Sequence, residues 1–566
     1  MKTLRNTVLA VLAGSLLVPA AAAAQIRITL EPNTLTVGPG EAQDILVRIR
    51  GTRSKDVRLA VCNGERGECF TGGSNFLGTV EVVGRGSKNN PIVRYTAPAE
   101  LPSEPPCTLL PNGCQLQIRV RLVGTRLKKF AAVAIPDVEG PSGAGVLEAV
   151  SVHTDGTPAD SDSGAPSVST DGRFIAFQSW AANLVQDDTN GYADIFLRDT
   201  CMGAPESCAP STVRVSLAND GSEFNVDAYR PSLSADGRAV AFTLVDFFID
   251  FSQVALRDTC LGTDDCTPGT LEVTNWEAFF WGHGGLSATG RFLTFSSETF
   301  PWQVFLKDTC FRATDCLPSE TLVSTGSGGF PGNDNSLAGV TSATGRYVAF
   351  VSDASNLVGS DSNGKPDVFW RDTCLGALEC APSTVPISTS SFGQPPAGGW
   401  DPSMTADGSL VAFVSKAKLV EGDTNKFPDV FLGYTSCAGD PLCAETFRVS
   451  VSIAGTQANG ASFRPSVSAD GRYVAFASNA TNLVTGDRNG VSDVFVRDTC
   501  LGAPEGCVPT TVRVSVSLEG VEADGDSFAP VISADGQFVI FVSRATNLVE
   551  GHTGQWDKVF LARTGY

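Results

Sequence analysis

Four segments of this chain carry two aspartates and an asparagine spaced as D-x-N-x-x-x-D: Asp188, Asn190 and Asp194; Asp361, Asn363 and Asp367; Asp423, Asn425 and Asp429; and Asp487, Asn489 and Asp493. Alternating oxygen-bearing side chains on a short loop suit calcium, a hard cation that takes about six to eight oxygen ligands. A complete calcium loop also has an acidic residue or glycine at further set positions, and these segments lack it. The competing reading is an Asx turn whose last aspartate starts a strand. Calcium is thus a candidate cofactor but not a required one.

The 16 cysteines form eight local couples. Cys62/Cys69, Cys107/Cys114, Cys201/Cys208 and Cys500/Cys507 enclose six residues, and Cys260/Cys266, Cys310/Cys316, Cys374/Cys380 and Cys437/Cys443 enclose five. Paired zinc ligands sit closer, with about two to four residues between them. Disulfide staples on hairpins fit better, each short closed loop contributing roughly 2 to 3 kcal/mol by loop entropy. Eight staples call for an oxidising compartment.

Little else points to catalysis. There is no G-x-S-x-G nucleophile motif, and His153, His283 and His552, the three histidines of the chain, share no motif. The R-D-T-C strings at Arg198-Asp199, Arg257-Asp258, Arg371-Asp372 and Arg497-Asp498 recur too often to be one active site, and predict hydrogen bonds between repeats. A formal charge of −20 argues against nucleic acid, whose binding rests on cationic contacts to phosphates.

These residues sit on a repeat. Seven strand-turn-strand copies begin at Ala165, Arg230, Gly284, Gly339, Asp401, Arg464 and Ala529, and their turn glycines (Gly172, Gly237, Gly290, Gly345, Gly408, Gly471 and Gly536) are 53 to 65 residues apart. Short strands at such a period predict propeller blades, each a four-stranded antiparallel meander. Runs such as Tyr473-Val474-Ala475-Phe476 are apolar without alternation, as where a sheet is covered on both faces. The seventh copy ends after its third strand. The segment from Val150 to His153 parallels Val514 to Ser517, so residues 147 to 153 are expected to supply the missing outer strand and close the ring.

The unit P-S-V-S-A-D-G-R-Y-V-A-F, followed by N-L-V-x-G-D-x-N-x-x-x-D-V-F-V-R-D, resembles the TolB-like, WD-type propeller repeats of exported bacterial proteins. The resemblance covers residues 147–566 and implies an all-β, seven-bladed propeller. For function it implies only a platform, since such propellers serve binding, scaffolding and enzymatic roles.

Residues 25–135 read as alternating strands bounded by Pro/Gly turns, a sandwich pattern. They resemble bacterial Ig-like domains through a proline-glycine turn after the first strand and the segment Tyr95-Thr96-Ala97-Pro98; two cysteine couples depart from that pattern. Residues 136–146 read as a linker. Residues 1–24, with Lys2, Arg5, an uncharged apolar run and Ala22-Ala23-Ala24, read as a secretory signal, so a periplasmic or secreted location is expected. No later apolar run is long enough for a membrane-spanning helix.

With the first strand of each blade innermost, the Asp-Gly turns and cysteine loops share one face. The opposite face collects six of the seven tryptophans: Trp180, Trp276, Trp281, Trp302, Trp400 and Trp556, with Trp370 in a third strand. Blades two and three add Phe247, Phe248, Phe251, Phe279, Phe280 and Phe300. These aromatics are either plugs between blades or a recognition surface for a protein or glycan. The expectation is an exported, non-catalytic binding protein. The rival is a polysaccharide lyase or hydrolase using carboxylates and a metal on the same face. A convergent cluster of Asp, Arg and His at the channel mouth would favour the rival; continuous aromatics would favour binding.

Overall fold

The computed structural model describes the backbone of strands between Arg27 and Ile135, and residues 146–566 except 249–250, 264–265, 275–284, 297–299, 327, 360, 391–396, 436–445, 454, 505–506, 553 and 555. The chain divides into two compact units, Met1–Gly143 and Ala144–Tyr566. The signal segment and most of the proposed linker lie outside the described residues.

The first unit contains two sheets. One orders Arg27–Glu31, Ala42–Arg50, Pro91–Thr96, Gly78–Arg85 and Gly73–Ser74. The other orders Thr34–Thr36, Lys128–Ile135, Gly113–Leu122, Val57–Asn63 and Cys69–Thr71, with Thr108–Leu110 also on Gly113–Leu122. Cys62 and Cys69 face each other in register.

The second unit is all β, seven blades numbered here in chain order. Blade six is representative: Ser462–Val467, Tyr473–Ser478, Asp493–Asp498 and Thr510–Arg513 pair antiparallel in sequence order. In blade three the described inner strand is reduced to one bridge, Leu286 to Leu293. Blade seven joins Ser527–Ile532, Phe538–Ser543 and Lys558–Arg563 to Leu147–Ala149, so the N-terminal strand closes the ring as the sequence predicts. Val150 and Ser151 then continue through backbone bonds to Val559.

Apolar strands without alternation do lie between neighbouring sheets. In Tyr473–Ser478 every residue is buried. In every blade but the second, where Ala255 stands opposite Phe242, the second and third strands each give a phenylalanine to a stacked pair, such as Phe177 with Phe196 at 5.8 Å, Phe476 with Phe495 at 5.9 Å and Phe541 with Phe560 at 5.9 Å. The cluster of Val150, Phe177, Phe196, Ile540 and Val559 spans blades one and seven, making the closure apolar as well as hydrogen-bonded.

Outer strands are shorter than the parallel between Val514–Ser517 and Val150–His153 implies. The fourth strand of blade six ends at Arg513 rather than Ser517, because the Ser515 hydroxyl accepts from the Val494 amide at 3.1 Å and replaces the backbone ladder there. Trp400 is the first residue of an inner strand, Trp400–Met404, and not part of a connection.

The turn glycines do more than reverse the chain. Gly172, Gly237, Gly345, Gly408 and Gly536 have φ between 74° and 78°, and a Cβ at each would come within 2.2 to 2.5 Å of Phe538, Phe174, Phe292, Tyr347 and Tyr473 respectively. Each turn therefore lies flat on the aromatic that opens the second strand of the preceding blade. Gly172 on Phe538 makes this contact across the closure.

Candidate functional site

The stapled face is built from one repeated device. After the turn glycine, an arginine forms a two-pronged pair with the aspartate ending the third strand. The pairs are Arg173–Asp199, Arg238–Asp258, Arg291–Asp308, Arg346–Asp372 and Arg472–Asp498, with closest contacts of 2.6 to 2.8 Å. The same aspartate accepts the amide of the following cysteine, at 2.8 Å for Cys201 and Cys500. That cysteine sits at φ near 60°, a strained conformation for a residue with a side chain. Disulfides join Cys201–Cys208, Cys260–Cys266, Cys310–Cys316, Cys374–Cys380 and Cys500–Cys507, as expected, with Cα atoms 5.5 to 5.8 Å apart. Their sulfurs are consumed in S–S bonds and unavailable to a metal. The Cys107/Cys114 and Cys437/Cys443 couples lie outside the described side chains, as does that of Cys62/Cys69.

The R-D-T-C arginines join blades as predicted. Arg257, Arg371 and Arg497 donate to the Leu217, Thr325 and Ser452 carbonyls of the preceding blade, at 3.2, 3.0 and 3.3 Å. Arg198 donates to Thr212 at 3.1 Å, and Thr212 in turn donates to the Val152 carbonyl.

In the D-x-N-x-x-x-D loops the last aspartate is buried and accepts from a serine two residues past the end of the fourth strand: Ser216 to Asp194, Ser388 to Asp367 (2.6 Å), Ser450 to Asp429 (2.6 Å) and Ser515 to Asp493 (2.5 Å). The asparagine is an Asx turn and a clamp. Asn489 accepts the Val491 amide and donates to Asp493 and the Ala523 carbonyl. In blades one, five and six a guanidinium lies between the carboxylates. Arg214 is 3.5 Å from Asp188, 3.3 Å from Asp194 and 2.5 Å from Glu223. Arg448 stands likewise to Asp423 and Asp429, and Arg513 to Asp487, Asp493 and Glu522. Burial, with the neighbouring aspartate's charge, still pushes Asp188 and Asp487 up to about 6. Blade four has Pro386 where blades one, five and six have arginine. Blade seven replaces the buried aspartate by Lys558, whose amine donates to the Gly554 carbonyl at 2.9 Å and whose pKa burial lowers.

The arginines at 214, 448 and 513 were missed in the sequence reading. The strings V-R-V-S, F-R-V-S and V-R-V-S recur only in the three blades where they meet such a loop, and that correlation is the signal.

On the opposite face the described aromatics form short chains. Trp180 packs edge-on to Tyr229 at 5.7 Å, and Tyr229 to Phe247 at 6.1 Å; Phe300 packs edge-on to Trp302 at 6.3 Å. Trp180 and Phe247 are nearly half exposed, Phe300 is 76% and Phe248 92% exposed. Trp302 is anchored through its backbone, which exchanges hydrogen bonds with Asn335 and Ser336. Trp276, Phe279, Phe280, Trp281 and His283 lie outside the described residues; Phe251 opens the third strand of blade two, Phe251–Asp258, rather than standing in a connection, and its side chain is not described. Trp370 is held within the stapled side, its indole donating to the Gly408 carbonyl at 3.0 Å. His153 and His552 engage different neighbours, Asp155 and the Glu550 carbonyl.

No protein-family model and no curated protein matches the chain. The chain aligns at low identity with several solved structures. The β-propeller domain of the Trilobed protease from Pyrococcus furiosus, described as an open velcro topology, aligns at 10% identity and TM-score 0.42 over 72% of this chain and 94% of that one. The acylaminoacyl peptidase of Pyrococcus horikoshii aligns at 10% identity and TM-score 0.38 over 71% of this chain and 51% of its own. A putative 6-phosphogluconolactonase from Bacteroides uniformis aligns at 13% identity and TM-score 0.32, over 70% and 92%. This chain spans about half the length of the acylaminoacyl and prolyl peptidases it matches. The blade count rests on the strand pairing.

Proposed function

We propose that the chain is an exported, non-catalytic binding protein. Its TolB-like propeller offers the loop-rich face to a protein or glycan, and an Ig-like N-terminal domain serves as spacer or second contact. One observation supports this above others: the run of aromatics from Trp180 through Tyr229 and Phe247 to the almost fully exposed Phe248. Large aromatics left in water on one face are what recognition surfaces use. The D-x-N-x-x-x-D loops serve, on this reading, as guanidinium-centred staples in blades one, five and six. Export is supported by the disulfides and the leader-like N-terminus.

The test is binding of the full-length mature protein to immobilised glycans and peptides, wild type beside Phe248→Ala. A signal weakened by the substitution supports the reading; a signal that Phe248→Ala leaves unchanged places recognition elsewhere.

A further inference from the structure

Charge is divided unevenly along this chain. Residues 144–566 hold 24 Lys or Arg against 50 Asp or Glu, whereas residues 25–143 hold 15 against 11 and are net basic. Such an asymmetry of sign between two parts of one chain points to a partner of the opposite charge.

Strand register gathers that excess on one sheet of the N-terminal unit. The six strands grouped around Gly113–Leu122 carry Arg58, Arg119, Arg121, Lys128 and Lys129, and none of their residues is aspartate or glutamate. The unit's other sheet mixes both signs. There Arg94 stands in register between Asp44 and Glu81, and like charges oppose only at its end, Arg27 to Arg50.

Four of the five cations share one face of their sheet. Arg121 is directly opposite Arg58 on one neighbouring strand and Lys128 on the other, which makes a row of three cations across three strands. Arg119, two residues along, falls on the same face, with Ala60 and Phe130 as its register partners. The alternate positions Leu59, Val61, Ile118, Val120 and Val133 are apolar, the pattern of an antiparallel sheet with one face on a core and the other in water. Like charges directly opposite one another destabilise a sheet. Three in one row, in a sheet whose strands hold no carboxylate, break a local rule, and functional sites are where such rules are broken.

We propose that this row is a docking surface for a linear polyuronate, an acidic polysaccharide with a carboxylate on every sugar. Neighbouring strands lie about 4.8 Å apart, so the row repeats at roughly the length of one sugar ring, and successive carboxylates keep pace with successive cations. Arginine suits a carboxylate because its planar fork donates two parallel hydrogen bonds. Phe130 adds to the face an aromatic residue of the type that packs on the apolar side of a sugar. A bilayer fits less well, since a segment lying on a membrane buries an apolar face among the headgroups, and here the apolar positions are on the opposite face from the row. The proposal deepens the binding reading by giving the N-terminal unit, as second contact, a ligand class, and it rests on the export that reading assumes.

The experiment titrates the full-length protein by calorimetry with oligogalacturonate, its methyl ester, single-stranded DNA and phosphatidylglycerol vesicles. Wild type should bind oligogalacturonate with an affinity that falls as salt rises, and the neutral ester about tenfold more weakly. Arg121→Gln should lose about threefold in affinity, the scale of one surface charge pair, and the triple variant Arg58→Gln/Arg121→Gln/Lys128→Gln about tenfold or more. The melting temperature of Arg121→Gln should hold or rise, because repulsion within the row is relieved; a merely structural role would lower it. Lys129→Gln, on the other face of the same strand as Lys128, should bind as wild type does. Absence of oligogalacturonate binding, or a loss in Lys129→Gln equal to that in Lys128→Gln, would overturn the row. Tighter binding to DNA or to vesicles than to oligogalacturonate would overturn the polyuronate. If the row fails and Phe248→Ala still weakens capture of glycans or peptides, the propeller-platform reading survives that failure.

Discussion

The Val559 amide donates to the Ser151 hydroxyl at 3.1 Å, joining residues 408 apart in sequence. In blades one, four, five and six the equivalent serine serves both the third-strand amide and a buried aspartate; here the aspartate has become Lys558. The closing blade thus keeps the serine-to-amide bond that fixes strand spacing and drops the acidic loop.

Removing residues 147–153 should therefore expose the edge of Lys558–Arg563 and uncover Phe560 and Val559, which are fully buried. An unpaired apolar edge pairs with other chains. The expected outcome is a lower melting temperature with concentration-dependent aggregation in light scattering. A truncated protein that stays monomeric with unchanged melting would show that the ring does not depend on this strand.

The flat contact of each turn glycine with a ring of the preceding blade can be separated from its φ. Gly536 and Gly551 both have positive φ, 74° and 82°, but an added Cβ meets Tyr473 at 2.2 Å at the first and open space at the second. Gly551→Ala should cost about 1 kcal/mol from backbone strain alone. Gly536→Ala should cost about 2 to 4 kcal/mol, since the ring must also move. Equal losses in denaturant melts would remove the packing argument.

Asp188 and Asp487 give a pH signature. Each has a folded pKa near 6 against an ordinary 3.8, raised first by burial and then by the adjacent aspartate, with arginine opposing. A carboxyl raised on folding contributes stability that is complete below its unfolded pKa and lost as pH rises through the folded one. Stability should decline between about pH 4 and pH 7 by on the order of 1 kcal/mol per group, allowing for solvent screening. The double variant Asp188→Asn/Asp487→Asn, which mimics the protonated acids, should flatten that slope. Parallel wild-type and variant curves would mean that these carboxylates ionise normally.

The disulfide pattern extends the described pairs to the rest of the chain. Non-reducing peptide mapping should find Cys62 with Cys69, Cys107 with Cys114 and Cys437 with Cys443, and no free thiol. A link between different couples would break the hairpin-staple account of those three.

Much of the propeller was legible because the repeat displays its own strand boundaries: the turn glycine, the Tyr-Val-Ala-Phe run and the Asp that opens the third strand each recur at one place in the blade. Closure was legible because Val150–His153 copies Val514–Ser517. What stayed hidden depends on partners distant in sequence. Arg513 looks like a solvent-facing residue of an alternating strand until Asp487, Asp493 and Glu522 are seen around it. The Asx-turn half of the loop reading is visible in Asn489, whose side chain accepts the Val491 amide. No spacing rule could announce that a guanidinium would stand between the loop carboxylates.

The aromatic face supplies the last prediction. Phe248 is 92% exposed, so Phe248→Ala removes almost no buried surface and should leave melting unchanged, whereas Trp302, backbone-anchored and half-buried beside Phe300, can act as plug or contact. If the face is a recognition surface, Phe248→Ala, Trp281→Ala and Trp302→Ala should each weaken ligand capture about tenfold or more, equivalent to about 1.4 kcal/mol. Capture should be read on the array that detects wild-type binding, with thermal melts run on the same samples. Variants that lose stability yet bind normally would identify these side chains as plugs and move recognition to the N-terminal unit. A Phe248→Ala protein that melts normally and binds weakly would be the clearest support, because no packing defect could account for its loss.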